Sequence, residues 1–379
     1  MSDKLPGTMR IVIDARKLHD FGIGTYIRNL VTGLGALDHE SEYVLLARPE
    51  DTHAAAEAGP NFRAVVERSR PYSFGEQWRI PRAAARARAD LLHEPHYVLP
   101  PLTRCKTVVT IHDCIHLRFP EYLPGRAAFA YAHGMIRLAA RKADRVLTVS
   151  DASKRDILHY TGVAPEKVVV VPNGLDARFA AVPDADAIDR VRQRFQLDHP
   201  FVLYVGNVKP HKNLERLIAA FAAMRADGPD GLKLVVIGDE TSKHPVLRQA
   251  VHRHRLDKHV RFLGFQPAAT LVVFYRLARA FAFPSLYEGF GLPPLEAMAN
   301  ETPVVTSNVS SLPEVAGDAA LLVDPYDVAS IADGLRRAVT DDALRETLIA
   351  RGRVRAREFS WARAAADTLA VYRQVMGDA

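Results

Sequence analysis

The chain has 379 residues, too many for one ordinary hydrophobic core, so two domains are expected. Hydrophobic residues make up 48% and charged residues 25%, an ordinary globular composition, and the formal charge is only +6. Charges interrupt every apolar run before about 18 residues and the N-terminus has no apolar signal core, so a cytoplasmic protein without a spanning helix is expected.

In chain order, Arg10–Asp14 predicts the first strand of a doubly wound sheet. Phe21-Gly22-Ile23-Gly24 reads as a glycine loop, and Thr25–Leu37 as a helix with Ile27, Leu30, Val31 and Leu34 on one side. Gly22-x-Gly24 lacks the third glycine of a dinucleotide fingerprint, because position 27 is Ile. Tyr43–Ala47 and Phe62–Val66 are further strands. Ser73–Ala89 is mostly helical, and its spacing puts Arg79, Arg82 and Arg86 on one face. Positions 63–126 carry eleven Lys/Arg against six Asp/Glu. That face is either solvated or docks on anionic lipid or a lipid diphosphate acceptor. Asp90–His93 and Thr107–Ile111 are strands, the second ending in His112-Asp113. Cys105 and Cys114, in or beside apolar runs, read as buried thiols, not a zinc site. Arg145–Ser150 and Val168–Val171 complete the first sheet, and Ala180–Ala187 reads as a linker.

The second domain opens with strand Phe201–Asn207, then Val208-Lys209-Pro210-His211-Lys212-Asn213-Leu214 leading into a helix. A cationic turn before a helix is a phosphate-binding arrangement, and a cation there opposes the helix dipole unless an anion is bound. Lys233–Gly238 and Val260–Phe265 are strands. Arg279–Phe283 is another, followed by Ser285–Gly291 as a loop and a helix starting near Pro293 or Pro294. Gly289 and Gly291 let backbone N–H groups approach a ligand. Glu288 lies in that loop and Glu296 about one turn into the helix. A carboxylate accepts hydrogen bonds and suits sugar hydroxyls. A molecule with phosphate in the middle and hydroxyls at both ends, a nucleotide sugar, fits the stretch. Taken singly, each glutamate also reads as a solvated loop acid or a first-turn acid favoured by the dipole.

The string Phe283-Pro284-Ser285-Leu286-Tyr287-Glu288-Gly289-Phe290-Gly291-Leu292 with Glu296 resembles the E-x7-E motif of retaining glycosyltransferases of family 4. Thr302–Ser307 and Ser311–Gly317 resemble that family too, and the resemblance covers nearly the whole chain. It implies an α/β fold of the GT-B class: two doubly wound Rossmann-like domains facing across a cleft. Residues 1–180 would be the acceptor side and 181–358 the nucleotide-sugar side, with 359–379 a helix crossing back onto the first domain. It implies donor contacts from Gly22, Gly24, Gly206, Asn207, Lys209, Lys212, Phe265, Glu288, Gly289, Phe290, Gly291, Leu292 and Glu296. His112 would face the donor sugar, and His112, Glu288 and Lys212 would be the catalytic group. The family commonly carries arginine after the glycine at 206; Asn207 replaces it, so either Lys209 supplies the second charge or the diphosphate is held by fewer charges.

The expected reaction moves a hexosyl unit, with mannose or deoxymannose from GDP as the guess, to a glycan or polyprenyl-diphosphate-linked glycan. No cofactor is expected: there is no Asp-x-Asp of the metal-binding kind at a strand end. Expected partners are the nucleotide sugar, the acceptor and a peripheral contact with anionic membrane at the inner face, with no nucleic acid. Two rival readings are a non-catalytic polysaccharide-binding or assembly protein on the same fold, and a nicotinamide oxidoreductase. The second fits poorly, lacking the third glycine and an acid after Tyr43–Ala47.

Overall fold

A computed structural model describes residues 8–238 and 244–377, with Phe21 described by its backbone alone. The chain forms two compact units, one running to Gly174 and resuming at Ser360, the other Leu175–Phe359. The sequence boundaries were 180 and 358. No helix among the described residues is long and apolar enough to cross a membrane.

Among the described residues unit 1 has seven parallel strands: β1 (Arg10–Asp14), β2 (Glu42–Ala47), β3 (Phe62–Val66), β4 (Leu91–Glu94), β5 (Lys106–Thr110), β6 (Arg145–Thr148) and β7 (Val168–Val170). Their order is β3-β2-β1-β4-β5-β6-β7. Ile11, Val12 and Ile13 are wholly buried. Helices cover both faces of a parallel sheet, which is why its central strands read as unbroken apolar runs. The helix Trp361–Met376 belongs to this unit and packs on the helix Phe21–Leu37. A Cβ on Gly33 would lie 2.7 Å from that of Ala365, so the two helices meet at small residues. The Tyr372 hydroxyl lies 2.6 Å from Nδ1 of buried His93.

Among the described residues unit 2 has six parallel strands: β8 (Phe201–Gly206), β9 (Lys233–Gly238), β10 (Val260–Phe262), β11 (Ala280–Phe283), β12 (Val304–Ser307) and β13 (Ala320–Val323). Their order is β10-β9-β8-β11-β12-β13. Each sheet therefore has one point where the strand order reverses, between β1 and β4 in unit 1 and between β8 and β11 in unit 2. Ligands of open α/β sheets bind outside the carboxyl ends of the strands at that point.

One expectation is corrected. Gly22 and Gly24 do not form a loop; the helix begins at Phe21 and contains both. The Gly24 amide donates to the Asp20 carbonyl at 2.6 Å, closing the first turn. A Cβ at Gly24 would lie 2.3 Å from the Leu18 carbonyl oxygen. Glycine is needed there because the incoming chain crosses tightly over the first turn. The basic helix is also shorter than its periodicity suggested, Glu76–Arg86, with Pro81 inside it.

Candidate functional site

The loop Ser285–Gly291 leaves the carboxyl end of β11 at the reversal point of unit 2 and enters the helix Leu292–Ala299. Gly291 is the N-cap residue with φ +117°, and a Cβ there would also meet Leu312 at 2.8 Å. Both restrictions select glycine. The loop is held from outside by residues of other elements. The Asn213 side-chain amide donates to the carbonyls of Pro284 (2.9 Å) and Pro325 (2.7 Å). The Leu286 amide donates to the His211 carbonyl at 2.7 Å. Ser310 Oγ and Ser311 Oγ donate to the Glu288 carbonyl at 2.6 and 2.9 Å, and Ser311 Oγ also reaches the Phe290 carbonyl at 2.7 Å. With its backbone fastened this way, the Glu288 side chain projects from a rigid loop.

On the other side of the reversal point, β8 ends at Gly206, and the chain turns through Asn207 and exposed Lys209 into the short turn Pro210–Lys212. Lys212 Nζ lies 2.7 Å from Glu288 Oε1 and 5.1 Å from the centre of the Phe283 ring. Both side chains of this pair are 13% exposed. Lys212 and Glu288 are thus brought together across 76 positions of sequence. Sequence reasoning gave them separate tasks, one on phosphate and one on sugar. A phosphate is the kind of anion that could replace Glu288 on this cation.

Glu296 is half-buried on the helix after the loop. Its Oε2 accepts a hydrogen bond from the hydroxyl of buried Tyr275 at 2.8 Å. Burial raises its pKa to about 7, with Asp176 adding to the rise and the Tyr275 hydrogen bond and Arg178 opposing it. Arg178 is paired with Asp176 at 2.6 Å. Phe265 stands 78% exposed after β10, open to stack on a flat ligand. Phe290 is buried and its side chain packs edge-on against Phe359, which helps to hold the loop. Leu292 opens the helix and is half-buried.

In unit 1, His112 follows β5 and is half-buried. Its Nε2–H donates to the Pro95 carbonyl at 3.0 Å, and its ring meets Tyr26 edge-on at 4.8 Å. Burial lowers its pKa against the opposing pull of the Pro95 carbonyl, so the ring is neutral at pH 7 with Nδ1 as the acceptor. The reversal point of unit 1 is filled by a knot of charges. The Arg16 guanidinium donates to Asp14 (2.8 Å to Oδ1), Glu76 (3.1 Å) and the Ser69 carbonyl (2.9 Å), and is 2% exposed. Burial works to raise Asp14, but Arg16 outweighs it and holds the carboxyl below its usual range. Burial and the Asp14 charge push the Glu94 carboxyl well above its ordinary value, which favours its protonated form.

Ligand atoms of Asp14, Glu94 and His96 lie within 4.8 Å of one another. They make a poor cation site. His96 Nδ1 accepts the Val98 amide at 3.1 Å, which leaves the ring proton on Nε2. Arg16 already takes Asp14.

Sequence reasoning missed Asn213, Ser310, Ser311, Tyr275 and Arg16. Ser310 and Ser311 lie at and just before the start of the second family-like run, Ser311–Gly317, so that run carried a usable signal. Tyr275 and Arg16 sat in apolar or strand-end surroundings that gave none.

A model of Glycosyltransferase Family 4 matches residues 22–179, and one of Glycosyl transferases group 1 matches residues 186–355. The chain is 32% identical over 367 residues to the O-antigen chain mannosyltransferase B of Escherichia coli, covering 93% of this chain and 96% of that protein. Its fold is similar to sucrose-phosphate synthase from Thermosynechococcus elongatus, with a TM-score of 0.78 at 23% identity over 98% of this chain and all of that one. It is equally similar to Anabaena HepE, solved in complex with UDP and glucose, with a TM-score of 0.78 at 19% identity, covering 97% and 100%.

Proposed function

Because the chain belongs to glycosyltransferase family 4 and has the two Rossmann-like units of the GT-B class, we propose that it transfers a mannosyl or deoxymannosyl unit from a GDP-sugar to a hydroxyl of a glycan or lipid-linked glycan. The single observation that carries the reading is the Lys212–Glu288 pair, set at the strand-order reversal of unit 2 beside a glycine-capped helix N-terminus. The similar mannosyltransferase of Escherichia coli supports the choice of sugar.

In this reading the donor diphosphate displaces Glu288 from Lys212. Lys212, loop amides and the helix N-terminus then meet the phosphate charge, with exposed Lys209 as the second cation in place of an arginine at Asn207. Glu288, released, accepts from hexose hydroxyls, while Glu296, held by Tyr275, accepts from ribose hydroxyls. The acceptor oxygen bonds to the anomeric carbon as the carbon–oxygen bond to the diphosphate breaks. The acceptor's proton passes to the leaving phosphate oxygen on the same face, so the anomeric configuration is retained. Glycosidases that retain by double displacement use two carboxylates about 5 Å apart; Glu296, tied to Tyr275 on the helix, serves the ribose end instead. His112 of unit 1 is neutral, with Nδ1 as its acceptor. Lys212 and the amides supply the positive charge, so no metal is invoked at the diphosphate.

The acceptor is proposed to be presented at an anionic membrane surface, with Arg79, Arg82 and Arg86 facing it. A non-catalytic assembly role is the second reading, favoured only by the closed Lys212–Glu288 pair. The experiment is incubation with GDP-mannose and a lipid-linked glycan, alongside thermal shifts with GDP, UDP, ADP and dTDP. Formation of an α-linked product with GDP release in excess chelator is expected. An inverted product, a covalent sugar on either glutamate, or activity lost to chelator and restored by magnesium or manganese overturns the mechanism. Nucleotide binding without transfer or donor hydrolysis supports the second reading.

A further inference from the structure

We infer that residues 71–86 of unit 1 form an anchor that inserts Phe74 and Trp78 into the headgroup region of an anionic lipid membrane. The inference deepens the membrane-facing reading above and does not depend on glycosyl transfer. Phe74 is 90% exposed, Trp78 69% and Tyr72 44%. Scattered exposed apolar side chains are normal, but here three aromatic rings fall within seven consecutive residues.

Their exposure is not that of a loose loop. The turn is closed by hydrogen bonds from the amide of Ser73 to the Arg70 carbonyl (3.2 Å), of Gln77 to that of Phe74 (3.2 Å) and of Trp78 to that of Gly75 (3.3 Å). It is fastened below by Glu76, wholly buried and paired with Arg16, and by Lys17, whose Nζ donates to the Tyr72 hydroxyl at 2.6 Å. Ile80 and Ala84 are buried, which turns the opposite face of the helix, with Trp78, Arg79, Arg82 and Arg86, to solvent.

Charge decides the partner. Between positions 66 and 88 there are six arginines, at 68, 70, 79, 82, 86 and 88, and all are exposed. The two acids in that span, Glu67 and Glu76, are buried. The tip itself, Pro71-Tyr72-Ser73-Phe74-Gly75, carries no charge. An uncharged aromatic tip on arginine shoulders matches the layering of a bilayer interface, where aromatic rings sit at headgroup depth and basic residues meet anionic lipid. Single-stranded nucleic acid also binds arginines and rings, but it needs the charge to follow the stacked bases. Here the arginines stop short of the tip, and Lys17 beneath Tyr72 is buried.

The test uses the full chain with vesicles of phosphatidylglycerol and phosphatidylethanolamine, and of phosphatidylcholine alone. Trp361 is buried, so Trp78 is the tryptophan that reports insertion. Its emission should shift to the blue on the anionic vesicles only, and brominated lipid should quench it. Phe74→Ser should weaken vesicle binding roughly tenfold through lost apolar burial. R79S/R82S/R86S should weaken it roughly fivefold per charge and flatten its salt dependence. Donor hydrolysis by Phe74→Ser should match the parent, so failure here is separable from failure of the transfer reading. Binding with unshifted Trp78 emission and no effect of Phe74→Ser means adherence by charge alone and overturns the inference. So does absence of vesicle binding, or single-stranded RNA that binds more tightly and quenches Trp78.

Discussion

The two sheets reverse strand order in the same way, and both place charged residues at the carboxyl ends of the strands on either side of the reversal, yet the two places are built oppositely. Between β1 and β4 the protein fills the position with its own groups: Asp14, Glu76 and Glu94 around Arg16, whose side chain is 2% exposed. Between β8 and β11 it leaves one ion pair, Lys212 with Glu288, each 13% exposed and close to a helix N-terminus. Arg16 is held by several hydrogen bonds and cannot be drawn off without stranding buried acids. Among the described residues Lys212 has one acidic partner, Glu288, and both side chains keep some exposure. A cation held by several dry contacts, as Arg16 is, is therefore structural, whereas the cation at the second place is where the proposed ligand would enter.

The largest expected effect breaks the first of these places. Arg16→Met should destabilise the fold by about 3–5 kcal/mol, because Asp14 and Glu76 lose a buried partner. Chemical denaturation measures it, and a loss below about 1 kcal/mol would show that the knot is not what holds this end of unit 1. Lys212→Ala removes a cation from the second place and should leave the denaturation midpoint nearly unchanged while turnover falls on the order of 10². If Lys212→Ala unfolds the protein and Arg16→Met only slows it, the contrast is reversed.

Smaller changes sharpen the second place. Glu288→Gln should lower turnover roughly tenfold or more while GDP still binds, since a charge-assisted contact near the reacting carbon is lost. Glu296→Gln should instead weaken donor and free nucleotide about tenfold, with a smaller loss of turnover. The opposite pattern would place the donor the other way round in the site.

The smallest effect is in pH. Glu296 has its pKa raised to about 7, so the folded protein binds a proton there that the unfolded chain has released. That contribution to stability is full below about 4.5 and is lost as pH rises through about 7. Ribose hydroxyls favour the ionised form, so nucleotide affinity should rise with pH and level off above about 7. Tyr275→Phe removes a hydrogen bond that lowers this pKa, and should move the midpoint upward with turnover at high pH unchanged. A flat affinity between pH 5.5 and 8.5, by calorimetry, rules out this role for Glu296.

The sequence by itself determined the parallel strands, because both faces are covered and the runs Ile11–Ile13 and Ala280–Phe283 are apolar throughout. It determined the strand–loop–helix around Gly291 as well, because the glycines, the prolines and the apolar strand are local neighbours that constrain one backbone path. Tertiary structure decided the rest. Gly24 is glycine because the Leu18 carbonyl crosses the helix's first turn, a contact that periodicity does not reveal. Lys212 meets Glu288, and Asn213 and Ser311 hold the loop, because strand order sets β8 beside β11 and β11 beside β12. Arg16 is buried while Arg79, Arg82 and Arg86 are exposed, though all carry the same charge. Whether a charge is structural or free to act depends on which distant residues reach it and how much water remains, and only the packed sheet settles both.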